Sequence, residues 1–196
     1  MRILAAGGGS GGHVTPVVAV IREIRKKHPR AEIRFWCDNK FEPQARGIIH
    51  GFDDRIVVQS IASGKFRRYH QYAWWRQLFR LRDIVLPNIR DGFLVVVGFF
   101  QSIWRMIWWR PDVVFCKGGF VCLPIGLAAK LLGIPLVIHD SDAHPGLTNR
   151  VLGRFANQIA TGASLEYYSY PAERSRYVGI PVRPDFRPFS AKQRIE

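Results

Sequence analysis

Apolar and polar positions along this chain switch repeatedly between two periods. Short apolar runs at residues 2–6, 32–37, 55–59, 113–116 and 135–139, and a weaker one at 158–161, read as strands. Between most of them, apolar residues recur at helical spacing, predicting helices over 15–27, 41–50, 89–109, 121–132 and 147–155. In the first helix the stripe is Val17, Val18, Val20, Ile21 and Ile24. Strands alternating with helices, several of them apolar throughout, predict an α/β fold with a Rossmann-like, doubly wound parallel sheet covered on both faces. Ligands of such sheets bind beyond the carboxyl ends of the strands, so the residues just after each run carry the functional reading.

After the first strand comes Gly7-Gly8-Gly9-Ser10-Gly11-Gly12-His13, then the first helix. A glycine turn feeding a helix leaves backbone N–H groups unpaired at the positive end of the helix dipole. That arrangement suits a phosphate or diphosphate. Gly7, Gly9 and Gly12 also satisfy the dinucleotide pattern G-x-G-x-x-G, with Asp38 at the end of the second strand as a ribose-binding acid. An NAD(P)-dependent oxidoreductase is therefore an alternative, and a turn needing glycine only for its geometry is another.

The length of 196 residues suits one well-cored α/β domain. Cys37, Cys116 and Cys122 lie in or beside apolar runs without metal-ligand spacing, and read as reduced thiols of a cytosolic protein. The first strand follows Met1 directly, which leaves no room for a signal peptide. Lysine and arginine number 29 against 15 acids, a formal charge of +14, which calls for an anionic partner.

Much of that charge lies in one aromatic-rich stretch. Lys65, Arg67, Arg68, Arg76, Arg80, Arg82 and Arg90 alternate there with Phe66, Tyr69, Tyr72, Trp74, Trp75 and Phe79, and Asp83 is the single acid. Cations mixed with aromatic rings suit the headgroup region of an anionic membrane surface. Phe66, Arg67, Arg68, Trp74, Trp75, Arg76, Phe79 and Arg80 are the candidate contacts. Single-stranded nucleic acid stacking on the rings, or an amphipathic helix with a purely structural aromatic face, would use the same mixture. The most hydrophobic run, 93–109, is at the lower edge of spanning length and is broken by Gln101, Ser102 and Arg105. A buried crossover helix accounts for it.

Two further constellations follow strands. Lys117-Gly118-Gly119-Phe120 repeats the strand, glycine turn, helix order of the N-terminus. Two such turns facing one crevice suit a diphosphate better than a single phosphate. His139-Asp140-Ser141-Asp142 follows the fifth strand, with Asn149 a few residues on. Asp140 and Asp142 are placed to orient sugar hydroxyls or serve as base, and a helix-capping role fits one of them.

Gly8-Gly9-Ser10-Gly11-Gly12-His13-Val14-x-Pro16 resembles the first glycine loop of the peptidoglycan lipid-intermediate N-acetylglucosaminyltransferases. Pro111-Asp112-Val113-Val114 leading into Gly118-Gly119, then Ile134-Pro135, His139, Gly146-Leu147-Thr148-Asn149 and Val178-Gly179-x-Pro181-Val182-Arg183 match in order and spacing. The resemblance covers the N-terminal domain of a two-domain GT-B enzyme. It implies transfer of N-acetylglucosamine from UDP-GlcNAc to a polyprenyl-diphosphate-linked muramoyl-peptide by direct inverting displacement, without a cofactor or metal. Ser10, Gly11 and Gly12 then match the loop reaching the donor, His13 a candidate base or diphosphate contact, and Arg183 a donor contact from the domain junction. Gly118, Gly119, Phe120, Asp142 and Asn149 fall on substrate-binding positions and Asp140 on a candidate catalytic one. It further implies a peripheral location on the cytoplasmic face of the cell membrane, and no nucleic acid partner.

The chain departs from the family pattern at Phe120, where tyrosine is usual, at Cys122, where serine is usual, and at His139-Asp140-Ser141-Asp142, where the family has His-Glu-Gln-Asn. An aspartate at 142 lacks the amide donor of asparagine and repels a diphosphate. Residues 1–178 are expected to form the acceptor-binding domain and 179–196 a proline-rich linker to an absent donor domain. That donor half belongs to a truncated remainder or to a separate chain, as in split two-subunit transferases. Alone, the chain is expected to bind substrate and hardly turn over.

Overall fold

The seven strands of the described residues run parallel in one sheet, in the order β3-β2-β1-β4-β5-β6-β7. The computed structural model describes residues 1–9, 11–66, 81–142 and 145–182, without the side chains of His13 and Leu81. Strands β1 (Arg2–Ala6), β2 (Glu32–Asp38), β3 (Val57–Ile61), β4 (Val113–Cys116), β5 (Leu136–Asp140) and β6 (Gln158–Thr161) fall on the apolar runs, shifted by at most two residues. The three residues of β7 (Ser175–Tyr177) carry no apolar signal, and only pairing with β6 makes them a strand. The helices are α1 (Gly11–Lys27), α2 (Glu42–His50), α3 (Leu86–Trp109), α4 (Cys122–Leu131) and α5 (Leu147–Leu152). A π-helical turn, Leu81–Val85, runs directly into α3. This is the doubly wound α/β fold that the periodicity predicts.

Alternation along each strand sends side chains to two separate cores. Ile3, Ala5, Ile33 and Phe35 pack with Val17 and Ile21 of α1 and Ile49 of α2. Leu4, Ala6, Trp36 and Ile61 pack on the opposite face with Met106 of α3, Ile125 of α4 and Leu152 of α5. The strand order reverses between β1 and β4, so the turns after these two strands flank the topological switch point.

Helix α3 corrects the expectation of a buried crossover helix. It does cross from β3 to β4, but its inward residues are Asp91, Gly98, Ser102, Met106 and Trp109. Several of its large apolar side chains face outward instead: Ile89, Phe93, Phe100, Trp104 and Trp108 are each more than 60% exposed. The polar residues that interrupt the apolar run serve the edge of the sheet. Gln101 Oε1 accepts from the Ala62 N–H at 2.9 Å, and Arg105 donates to the Ser60 carbonyl at 2.8 Å. Both satisfy backbone groups at the open side of β3, which would otherwise lack partners. Ser102 returns its hydroxyl to the Gly98 carbonyl at 2.7 Å.

This close approach requires glycine. A Cβ at Gly98 would overlap the Ala62 carbonyl oxygen. In a solvated helix Gly→Ala stabilises by roughly 1 kcal/mol. Here we expect Gly98→Ala to destabilise by about 3 kcal/mol, because the obstacle is backbone. The midpoint of urea unfolding checks the sign.

Candidate active-site cleft

Two glycine turns meet at the switch point. The first leaves β1 through Gly7-Gly8-Gly9 and the second leaves β4 through Lys117-Gly118-Gly119-Phe120, from strands paired with Ala6 opposite Cys116. Gly9, Gly118 and Gly119 have φ of 85°, 113° and 88°, which favour glycine. The turns also touch: a Cβ at Gly119 would stand 2.5 Å from the Gly8 carbonyl oxygen. The first turn opens α1 at Gly11, four residues before the apolar stripe predicts, so the N–H groups of its first turn have no intrahelical acceptor.

Asp38 clamps the first turn from below. Its Oδ2 accepts from the Gly9 N–H at 2.7 Å and its Oδ1 from the Phe41 N–H at 3.2 Å. A ribose-binding acid presents its carboxylate to the cleft, whereas this one is 5% exposed and engaged by backbone. The residue that made the oxidoreductase reading attractive therefore has a structural task.

A cleft of about 640 Å³ opens over both turns and is lined by Gly12, Gly118, Gly119, Phe120, Asp140, Asp142 and Asn149. These sequence-predicted residues thus converge on one place. Asn149 is 7% exposed, and its Oδ1 has no hydrogen-bond partner among the described residues, leaving a buried acceptor at the cleft wall. Gly11 lies in the first turn of α1, as does His13, whose side chain is outside the described residues. Ser10, Arg183 and the membrane candidates Arg67, Arg68, Trp74, Trp75, Arg76, Phe79 and Arg80 also lie outside them; Phe66 is described and exposed.

Beneath the cleft runs a directional chain of hydrogen bonds. His139, 1% exposed, places Nε2 2.9 Å from the Gly179 carbonyl, which can only accept, so Nε2 carries the proton and Nδ1 is bare. Ser141 Oγ lies 3.3 Å from that Nδ1 and donates to it. Lys117 Nζ donates to Ser141 Oγ at 2.6 Å. Burial lowers the pKa of Lys117, and Asp142 and Asp140 act against that shift. Burial also lowers the pKa of His139, in keeping with a neutral ring. Asp140, fully buried, accepts from the Tyr170 hydroxyl at 2.7 Å and from the Asp142 N–H at 3.3 Å. Burial first, and then Asp140, push the Tyr170 hydroxyl far above the usual phenol range. Neither aspartate caps the following helix, whose N-cap is Gly146 without a side-chain bond.

The residues 3–161 match the glycosyltransferase family 28 N-terminal domain. The chain belongs to this family. Within family 28 it is 35% identical over 186 residues to a UDP-N-acetylglucosamine--N-acetylmuramyl-(pentapeptide) pyrophosphoryl-undecaprenol N-acetylglucosamine transferase of Bacillus cereus, covering 94% of this chain and 47% of the relative. A relative with the same enzyme name from Alkaliphilus oremlandii is 32% identical, with 95% and 46% covered. The family 28 chain thus spans about half the length of these curated relatives. Its fold is that of the crystal structure of Acinetobacter baumannii MurG, at TM-score 0.66 and 24% identity, covering 94% of this chain and 47% of that one. A UDP-N-acetylglucosamine 2-epimerase from Neisseria meningitidis shares the fold at TM-score 0.57 and 11% identity, over 89% and 45% of the two chains.

Sequence reasoning assigned no role in the cleft to Lys65 or Tyr170. Lys65 lies just past β3 and lines the cleft. The rule that sites lie beyond strand ends was the signal that could have singled it out. Tyr170 follows a weak strand and gave no signal.

Proposed function

We propose that this chain is the acceptor-binding half of an inverting N-acetylglucosaminyltransferase that works on a polyprenyl-diphosphate-linked muramoyl-peptide, with UDP-GlcNAc as donor. The observation that carries this reading is the pair of interlocked glycine turns opening into one cleft. Free N–H groups of α1 and the second turn supply donors to a diphosphate. Lys117 answers the repulsion expected from Asp142, because both that carboxylate and Asp140 act on its charge. Asn149 Oδ1 is free to accept from a hydroxyl or amide of the acceptor sugar. His13 remains the proposed base or diphosphate contact. Asp140, held by Tyr170, and Asp142 at the cleft mouth are proposed to orient the acceptor. Arg183 and Ser10 are proposed donor contacts, and residues 179–196 a link to a donor domain carried by the same or a separate chain.

The bilayer is the proposed occupant of the exposed face of α3. Large apolar side chains line that face from Leu86 to Trp108, over about 33 Å of helix. Lys65, Arg82, Arg90 and Arg110 flank it in a chain of net charge +14, and cations beside aromatic rings suit the headgroup boundary. No helix among the described residues is long and apolar enough to cross a membrane. The proposed attachment is peripheral and on the cytoplasmic face, with Phe66 and the stretch to Arg80 as part of it.

The test is co-sedimentation with vesicles carrying a polyprenyl-diphosphate sugar, compared with vesicles of equal charge in plain anionic lipid. Wild type is expected to prefer the diphosphate lipid, and Gly12→Asp to lose that preference by placing a carboxylate among the α1 donors. Equal binding of wild type to both vesicles would refute the reading.

A further inference from the structure

An acceptor of the kind proposed above must reach from a bilayer against α3 to a sugar in the cleft, and a second cavity lies between these two places. It has a volume of about 500 Å³, and Gly9, Lys40, Ser63, Lys65, Arg90 and Leu94 contribute to its walls. Gly9, Lys65 and Phe120 line both cavities, which therefore adjoin along a common lip. On the other side, Arg90 and Leu94 belong to α3, where Ile89 and Phe93 are 64% and 67% exposed.

The chemistry of this cavity suits an anion. Lys40, Lys65 and Arg90 bring three cationic groups from three separate segments: the β2–α2 turn, the residues after β3, and α3. Two carboxylates also line it, Asp38 and Asp91, both buried. Asp38 already accepts from the Gly9 and Phe41 N–H groups. Ser63 Oγ is buried and has no hydrogen-bond partner among the described residues. An unpaired hydroxyl in the interior costs free energy that an incoming oxygen ligand would recover.

We propose that this cavity is the subsite for the prenyl-side phosphate of the lipid diphosphate. Lys40 and Arg90 hold that phosphate, with Ser63 as an additional hydrogen-bond partner. Lys65, on the shared lip, bridges to the sugar-side phosphate at the glycine turns. The first prenyl units pass Leu94 towards the exposed face of α3. The proposal rests on the acceptor reading and divides the diphosphate between two cavities that differ in their donors: side-chain groups alone in one, and in the other the backbone N–H groups of the glycine turns with Lys65 and Lys117 beside them.

That division is testable with a lipid that fills only one subsite. Wild type is offered vesicles containing undecaprenyl monophosphate, undecaprenyl diphosphate, or phosphatidylglycerol at matched charge. The Lys40→Gln/Arg90→Gln double variant is expected to lose about tenfold or more of the preference for both prenyl phosphates. Gly12→Asp is expected to keep the preference for the monophosphate. Lys27→Gln/Arg30→Gln, at the far end of the sheet, removes the same charge and should keep both preferences. Retention of the monophosphate preference by the Lys40/Arg90 variant would overturn the proposal while leaving the acceptor reading intact. Absence of any diphosphate preference in wild type would remove that reading itself. Inorganic phosphate at the concentration of the lipid phosphate should not displace the protein from the vesicles; displacement would assign the cavity to a free anion.

Discussion

Replacing Phe93, Phe100 and Trp104 together by glutamate is expected to abolish vesicle binding while leaving the unfolding temperature within a few degrees of wild type. The three side chains are 67%, 63% and 63% exposed, so little packing is lost when they are removed. Full burial of one large apolar side chain contributes about 1.5–3 kcal/mol. Even partial immersion of three in the acyl boundary therefore amounts to at least ~3 kcal/mol, more than a hundredfold in partitioning. The added carboxylates oppose anionic lipid as well. Co-sedimentation over a range of lipid concentrations measures the first effect, and thermal unfolding followed by circular dichroism the second. Intact vesicle binding, together with a change from dimer to monomer in light scattering, would instead make the face a contact between copies of the chain.

The second large effect is expected at Gly119. Alanine there must adopt φ near 88° and place its Cβ about 2.5 Å from the Gly8 carbonyl oxygen. Backbone strain of this kind costs roughly 1–3 kcal/mol, and the clash adds to it because the obstacle is the Gly8 backbone and not a flexible side chain that could yield. A loss of about 4 kcal/mol in unfolding free energy is expected, a large part of the stability of an ordinary domain. Gly133 provides the comparison: its φ is 65°, but nothing lies within 4 Å of the Cβ position. Gly133→Ala should cost only about 1 kcal/mol. Equal losses at the two positions would show that the turns are not interlocked. Separation of the two turns should also reduce diphosphate preference in any folded fraction of Gly119→Ala, because both sets of N–H donors depend on that contact.

Much of the cleft was legible because its parts are local. A glycine turn is a few consecutive residues between a strand and a helix, and the parallel sheet brings strand ends to one edge without further information. Gly118, Gly119, Phe120, Asp140, Asp142 and Asn149 accordingly meet in a single cavity. Asp38 shows where such reading stops. Its spacing from the glycines matched a ribose-binding acid, yet the decisive fact is a bond to the Gly9 N–H across 29 positions of sequence. Lys117 is similar. Its position beside the second turn was visible, but its partner Ser141 lies 24 residues away on the next strand connection.

By itself the sequence determined the alternation of elements, the two glycine turns, the basic excess and the family resemblance, all of which reside in periodicity, composition or short contiguous motifs. Tertiary structure decided which side of α3 faces outward. Periodicity marks a stripe but does not say what covers it, and here Gly98, Gln101 and Arg105 turn inward to meet the backbone of the edge strand, beside Met106 and Trp109 in the core. The same contacts leave Ile89, Phe93, Phe100, Trp104 and Trp108 uncovered. The second cavity is likewise a product of folding, since Lys40, Lys65 and Arg90 become neighbours only when β2, β3 and α3 pack together. Side-chain chemistry is written residue by residue, but which groups face one another is settled by close approach of segments distant in the chain.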